Sequence, residues 1–134
     1  MYARVLVGTD GSETATRAVE SAAMLARVHD AELIVGHAFP LRQSAAQRQA
    51  WLDAPEETRW RLSPGTMAEA TVDTAIECAR DVAGEDLAVA GLCAPGRPAP
   101  VLLGAARKLD ADVLVIGNRV RRIERETAAA TTAS

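Results

Sequence analysis

Val5-Leu6-Val7 runs without a break into Gly8-Thr9-Asp10-Gly11-Ser12, and a helical pattern follows at once. The apolar run does not alternate, so both of its faces need cover. That is how a strand inside a parallel sheet reads, because helices lie on both sides of it. The glycine-rich turn at its carboxyl end is where open α/β sheets place ligand-binding loops. The arrangement returns late in the chain as Asp112-Val113-Leu114-Val115-Ile116-Gly117-Asn118-Arg119. The expectation is that the two strand ends lie side by side and form one site.

The chain has 134 residues, enough for one domain with a real core and too few for two. A formal net charge of −3 argues against general polyanion binding and leaves room for a local phosphate pocket. No basic segment followed by a long apolar run opens the chain, so no signal peptide is expected. No apolar stretch approaches membrane-spanning length. Cys78 and Cys93 stand far apart with no Cys-x-x-Cys spacing. They read as reduced core cysteines of a cytoplasmic protein.

Arg4 to Gly8 reads as the first strand. Ser12 caps the next helix, its hydroxyl accepting from a free amide of the first turn. Ala15, Ala18, Val19, Ala22, Leu25 and Ala26 recur at helical spacing. Arg27 and His29 fall at the helix end, where positive charge is favoured. Leu33 to Phe39 is the second strand, stopped by Pro40, and His37 reads as a half-buried strand residue. Residues 41–66 form an excursion or lid with Trp51 and Trp60. Ala68, Val72, Ala75, Ile76, Ala79, Val82 and Ala83 make the next helical stripe, and Gly84 stops it. Leu87 to Leu92 reads as the third strand. Pro98 opens a helix to Leu109, and Val113 to Ile116 is the fourth strand. Arg119 to Glu126 reads as a charged helical face, with Arg122 and Glu126 four apart. Residues 120–134 make an atypical tail, ending in a run of Ala, Thr and Ser. Alternating strands and helices call for a parallel sheet with right-handed crossovers.

The loop after the first strand offers backbone amides at a helix amino end, a geometry that attracts anions. Asp10 would repel a phosphate set against it. It suits a ribose hydroxyl, an adenine amino group or a phosphate-bound Mg²⁺, or it merely organises its own turn. Gly117-Asn118-Arg119 adds a flexible backbone, an amide and a cation at the second strand end.

With these pieces in place the chain resembles the universal stress proteins. The match is carried by Val5 to Ser12, by Glu32 to Ala38, by Gly96-Arg97-Pro98 entering a helix with Ala105-Ala106, and by Ala111 to Arg119. The resemblance implies an α/β fold: an open, doubly wound, nucleotide-binding-like parallel sheet of order about 3-2-1-4. It also implies cytoplasmic homodimers and, in one branch, ATP binding, with Mg²⁺ only alongside the nucleotide. In that branch Gly8, Thr9 and Asp10 hold adenine and ribose, and the backbone near Ala38 pairs with the adenine edge. The phosphates lie in a loop of form Gly-x2-Gly-x9-Gly-(Ser/Thr), here Gly117 with Asn118 and Arg119, and later Thr131.

The chain departs from that pattern twice. Val120 and Ala130 stand where the loop has glycine. A left-handed conformation costs a non-glycine residue roughly 1–2 kcal/mol, and a β-branched one fares worst. Nothing after Arg119 reads as the family's fifth strand, so that strand is expected to be missing or altered. The fourth strand would then be an open apolar edge prone to self-association. The leading function is a stress-response module binding an adenine nucleotide where strands one and four end. The alternatives are a dimerisation or regulatory protein without a ligand, and a slow nucleotide hydrolase. For the last, Asp10 alone is thin support, and no residue is assigned a catalytic or metal-binding role.

Overall fold

A computed structural model describes residues 1–40, 45–57, 64–117 and 119–123. In chain order the elements are β1 (Arg4–Gly8), α1 (Glu13–His29), β2 (Glu32–Phe39), α2 (Ala45–Asp53), α3 (Pro64–Ala83), β3 (Val89–Pro95), α4 (Pro98–Lys108), β4 (Val113–Ile116) and β5 (Arg119–Arg122). The sheet order is β3-β2-β1-β4-β5. Its first four strands run parallel, and β5 is antiparallel to β4.

Side chains alternate across each strand, so the sheet builds two separate cores. Val5, Val7, Leu33, Val35, Val113 and Val115 face α1 and α3, whose alanines let the helices sit close. Leu6, Ile34 and Leu114 face α4, where Leu102 and Ala106 cover them. Val5, Leu6, Val7, Leu33, Val35 and Val113 are each 0% exposed, so the reading of β1 as covered on both faces holds. Burying one such side chain contributes roughly 1.5–3 kcal/mol, which is why these short strands anchor the fold. Among the described residues no helix is long and apolar enough to cross a membrane.

Gly8 and Gly36 are partners across the β1–β2 pair. A Cβ at Gly8 would overlap Leu102 Cδ1, and one at Gly36 would lie 2.9 Å from Leu102 Cδ2. The two glycines therefore make a seat for Leu102, and α4 is drawn down onto the carboxyl ends of the strands.

The end of the chain corrects the sequence reading. Arg119–Arg122 is a strand, not a helical face, and pairs with β4 from Ile116↔Arg119 to Val113↔Arg122. The fifth strand is therefore present, and β4 is interior rather than an open edge. The i,i+4 charge spacing misled because tertiary pairing overrides so weak a local preference. The signal that foretells the strand is Gly117-Asn118, a two-residue hairpin pair. Gly117 takes φ +57, the left-handed region such turns require. All four β5 residues are exposed. The third strand also shifts, to Val89–Pro95, because it follows β2 out to Phe39↔Pro95 rather than its own apolar run. Within the excursion Ala45–Asp53 is helical and Trp51 is half-buried, while Trp60 lies outside the described residues. The tail residues 124–134 also lie outside them.

Candidate nucleotide site at the ends of β1 and β4

The register pairs Gly8 with Ile116, so Thr9 leaves β1 beside Gly117 leaving β4. A Cβ on Gly117 would lie 3.9 Å from Thr14 Cγ2, which brings the amino end of α1 against the same spot. The two glycine-bearing strand ends thus share one mouth. Asn118 and Thr131, the other expected contacts there, lie outside the described residues. Arg119 is exposed at the start of β5.

The β1–α1 turn is tied down by its own side chains. Gly11 N–H donates to Thr9 Oγ1 at 3.2 Å, and Ser12 N–H donates to Asp10 Oδ1 at 2.9 Å. Ala15 N–H donates to Ser12 Oγ at 3.1 Å, the expected cap. Three amides of this loop are therefore already engaged, which narrows the anion-binding capacity that the sequence suggests. Among the described residues the N–H groups of Glu13 and Thr14 have no partner, and the Thr14 side chain lies beside Gly117. Ser12 also sets the charge of Asp10. Its hydroxyl and amide hold the carboxyl below the ordinary value, with smaller help from the His37 charge, against a desolvation that works the other way. Asp10 is exposed and ionised, an acceptor-only group at the rim.

Thr9 is buried, and its two backbone groups are both bound to β2. Its N–H donates to Gly36 O at 2.9 Å, and His37 Nδ1 donates to its carbonyl at 2.6 Å. The half-buried His37 thus fixes where β1 stops. Sequence reading placed this histidine correctly and missed the bond, because only the β1–β2 register brings residues 9 and 37 together.

Ala38 lies where β2 outlasts β1. β1 ends opposite Gly36, while β2 continues to Phe39. Successive backbone groups on a strand point to opposite sides. Gly36 O faces β1, and Phe39 O faces β3, where it accepts from Gly96 N–H at 2.8 Å. Ala38 N–H and C=O therefore face the β1 side, beyond the point where β1 has turned away. A donor and an acceptor on one backbone edge can pair with a planar base carrying the complementary pair.

The mouth thus carries the Ala38 backbone edge, the exposed Asp10 carboxylate and the amino end of α1 beside Gly117. Val120, at the expected second glycine position, stands opposite Val115 in β5. Among the described residues no group of three or more His, Cys, Asp or Glu could hold a metal ion. Cys78 and Cys93 are free and half-buried.

The chain matches the model of the universal stress protein family over residues 1–132. This chain belongs to the universal stress protein family. Universal stress protein Rv1636 of Mycobacterium tuberculosis (strain ATCC 25618 / H37Rv) is 32% identical over 117 residues, covering 87% of this chain and 76% of that relative. The crystal structure of Rv1636 superposes with a TM-score of 0.61 at 26% identity, over 99% of this chain and 81% of that one. A universal stress protein in complex with cAMP gives a TM-score of 0.63 at 29% identity, over 98% and 84%. The universal stress protein of Archaeoglobus fulgidus in complex with dAMP shares the fold, with a TM-score of 0.62 at 21% identity, over 86% and 80%.

Proposed function

We propose that this universal stress protein binds an adenine mononucleotide, AMP or its cyclic form, in preference to ATP. The observation that carries the reading is that β2 outruns β1, leaving the Ala38 backbone edge facing the space above Thr9 and Asp10. The base pairs with Ala38, and Asp10 accepts from the ribose. A phosphate lies near Gly117 and the N–H groups of Glu13 and Thr14, with Arg119 at the rim. The family match and the cAMP-bound relative support an adenine ligand. The short β4–β5 hairpin supports the preference for one phosphate over three, since it occupies the start of the loop that would wrap a triphosphate. ATP with Mg²⁺ binds weakly on this reading and is not turned over.

Calorimetric titration with AMP, cAMP and MgATP, followed by product analysis, tests the reading. AMP or cAMP should bind at least tenfold tighter than MgATP, and Asp10→Ala should weaken both mononucleotides about tenfold. MgATP binding tightest, or hydrolysis abolished by Asp10→Ala, would overturn it in favour of a hydrolase. No binding of any of the three would favour a ligand-free regulatory protein.

The role that follows is that of a cytoplasmic stress-response module reading adenine nucleotide levels. Self-association belongs to the same reading, with the open edge now β5 rather than β4. Such a seam sets Arg119, Arg121 and Arg122 of one copy against those of the other, and like charges facing each other disfavour pairing. Sedimentation should therefore show a dimer that strengthens as salt is added. A dimer weakened by salt would contradict that seam.

A further inference from the structure

β3 closes one side of the sheet, with β2 as its neighbour. Leu33 N–H donates to Ala88 O at 2.9 Å, and Gly96 N–H donates to Phe39 O at 2.8 Å. Backbone groups of successive strand residues point to opposite sides. Ala90, Leu92 and Ala94 therefore turn their N–H and C=O toward β2, in step with Ala88 and Gly96. Val89, Gly91 and Cys93 turn theirs outward, and Pro95 adds a carbonyl without an N–H. No described strand lies on that side.

Exposed sheet edges are normally blunted by charge, shortness or cover. β5, the opposite edge, has four residues and carries Arg119, Arg121 and Arg122. β3 runs for seven residues with no charged side chain, and Pro95 interrupts it only at its last position. Its two faces differ. Val89 and Cys93 lie on the α3 side, where Val72 and Ile76 come down on Gly91. Leu92 lies on the α4 side, and by alternation so do Ala90 and Ala94. Beside the α3 side stand Glu69 and Asp73, exposed and one helical turn apart. They are close enough that, after burial, their charges are what push the Cys93 thiol up. α3 as a whole sets Glu69, Asp73, Glu77 and Asp81 against the single base Arg80.

We propose that the outer edge of β3 docks an extended segment of another protein in which basic and apolar residues alternate. The segment adds to the sheet through the backbone of Val89, Gly91 and Cys93. Its basic side chains reach Glu69 and Asp73, and its apolar ones lie along Ala90, Leu92 and Ala94. An acidic segment is repelled from the α3 side, and a second copy's β3 would set Glu69 and Asp73 against their own kind. The edge is apart from the β1–β4 mouth, so the inference stands if the nucleotide reading fails.

The probe is a dye-labelled octapeptide alternating Arg and Val, titrated against the full chain by fluorescence anisotropy, with a Glu–Val octapeptide as control. The Arg–Val peptide should bind at least tenfold tighter, and more weakly as salt is raised. Glu69→Gln with Asp73→Asn should cut its affinity at least tenfold. Amide hydrogen exchange locates the contact on the unmutated chain. The amides of Val89, Gly91 and Cys93 should exchange at least tenfold more slowly with the peptide bound. Those of Ala90, Leu92 and Ala94, already held by β2, should not change. No binding, equal affinity for the two peptides, a double variant that binds as tightly, or protection gained elsewhere on the sheet and not at Val89, Gly91 and Cys93 would overturn the proposal. So would protection of those amides by raised protein concentration alone, which would make a second copy the occupant.

Discussion

Leu102 is the side chain through which α4 grips the sheet, and its removal should be costly and partly reversible. It is 2% exposed and rests on the Gly8–Gly36 pair. Leu→Ala in a core costs about 2–5 kcal/mol, more where the surroundings cannot collapse into the gap. Two glycines beneath it have no side chains with which to fill that gap, so the expected cost of Leu102→Ala is about 3–4 kcal/mol. Gly36→Ala places its methyl 2.9 Å from Leu102 Cδ2, 3.4 Å from Leu92 Cδ1 and 3.5 Å from Leu6 Cδ1. Overpacking of this kind costs about 1–3 kcal/mol. In the double variant the new methyl enters the space Leu102 has vacated. Its cost should fall short of the sum of the singles by about 1–2 kcal/mol, within the range seen for contacting residues. Urea unfolding of the four proteins, at an unchanged denaturant slope, measures the cycle. A double variant that equals the sum of the singles to within about 0.5 kcal/mol would mean that Leu102 and a methyl at position 36 do not contend for one space.

Three further outcomes are expected. Ser12→Ala removes the bond to Ala15 N–H and should cost about 1 kcal/mol in urea unfolding, while Ser12→Asp should cost much less. Gly117 sits at φ +57, so Gly117→Ala should destabilise by about 1–2 kcal/mol, and Gly117→Asn by visibly less, because Asn tolerates the left-handed region. Asp10 titrates lower in the folded chain than its ordinary value of 3.8, so it stabilises the fold above that pH. The stability gap between the wild type and Asp10→Asn should therefore be full near neutrality and shrink as pH falls through the lowered value; a gap that widens in acid would contradict the Ser12 contacts.

The framework was legible because burial leaves a direct mark on composition. Val5-Leu6-Val7 and Val113-Leu114-Val115 are apolar on both faces since helices cover both faces. Ser12 was legible as a cap because its partner is three residues away. What was not legible depends on register. Nothing near His37 announces a bond to Thr9 O, and nothing near Leu102 announces a seat made by residues 8 and 36. β5 was hidden for a different reason. Arg119-Val120-Arg121-Arg122 is exposed throughout and pairs on one side only, so no buried face imposes alternation on it. The sequence pair Gly117-Asn118 carried the information that the strand itself lacked.

In the proposed complex a base meets the Ala38 backbone at the mouth between β1 and β4. Amide chemical shifts of the isotope-labelled protein, followed during titration with AMP, test this directly. The largest changes should fall on Ala38, on Thr9 to Thr14 and on Gly117, with Ala38 N–H moving downfield as it acquires an acceptor. Saturable changes that leave Ala38 and Gly117 unmoved, or no changes at millimolar AMP, would contradict it.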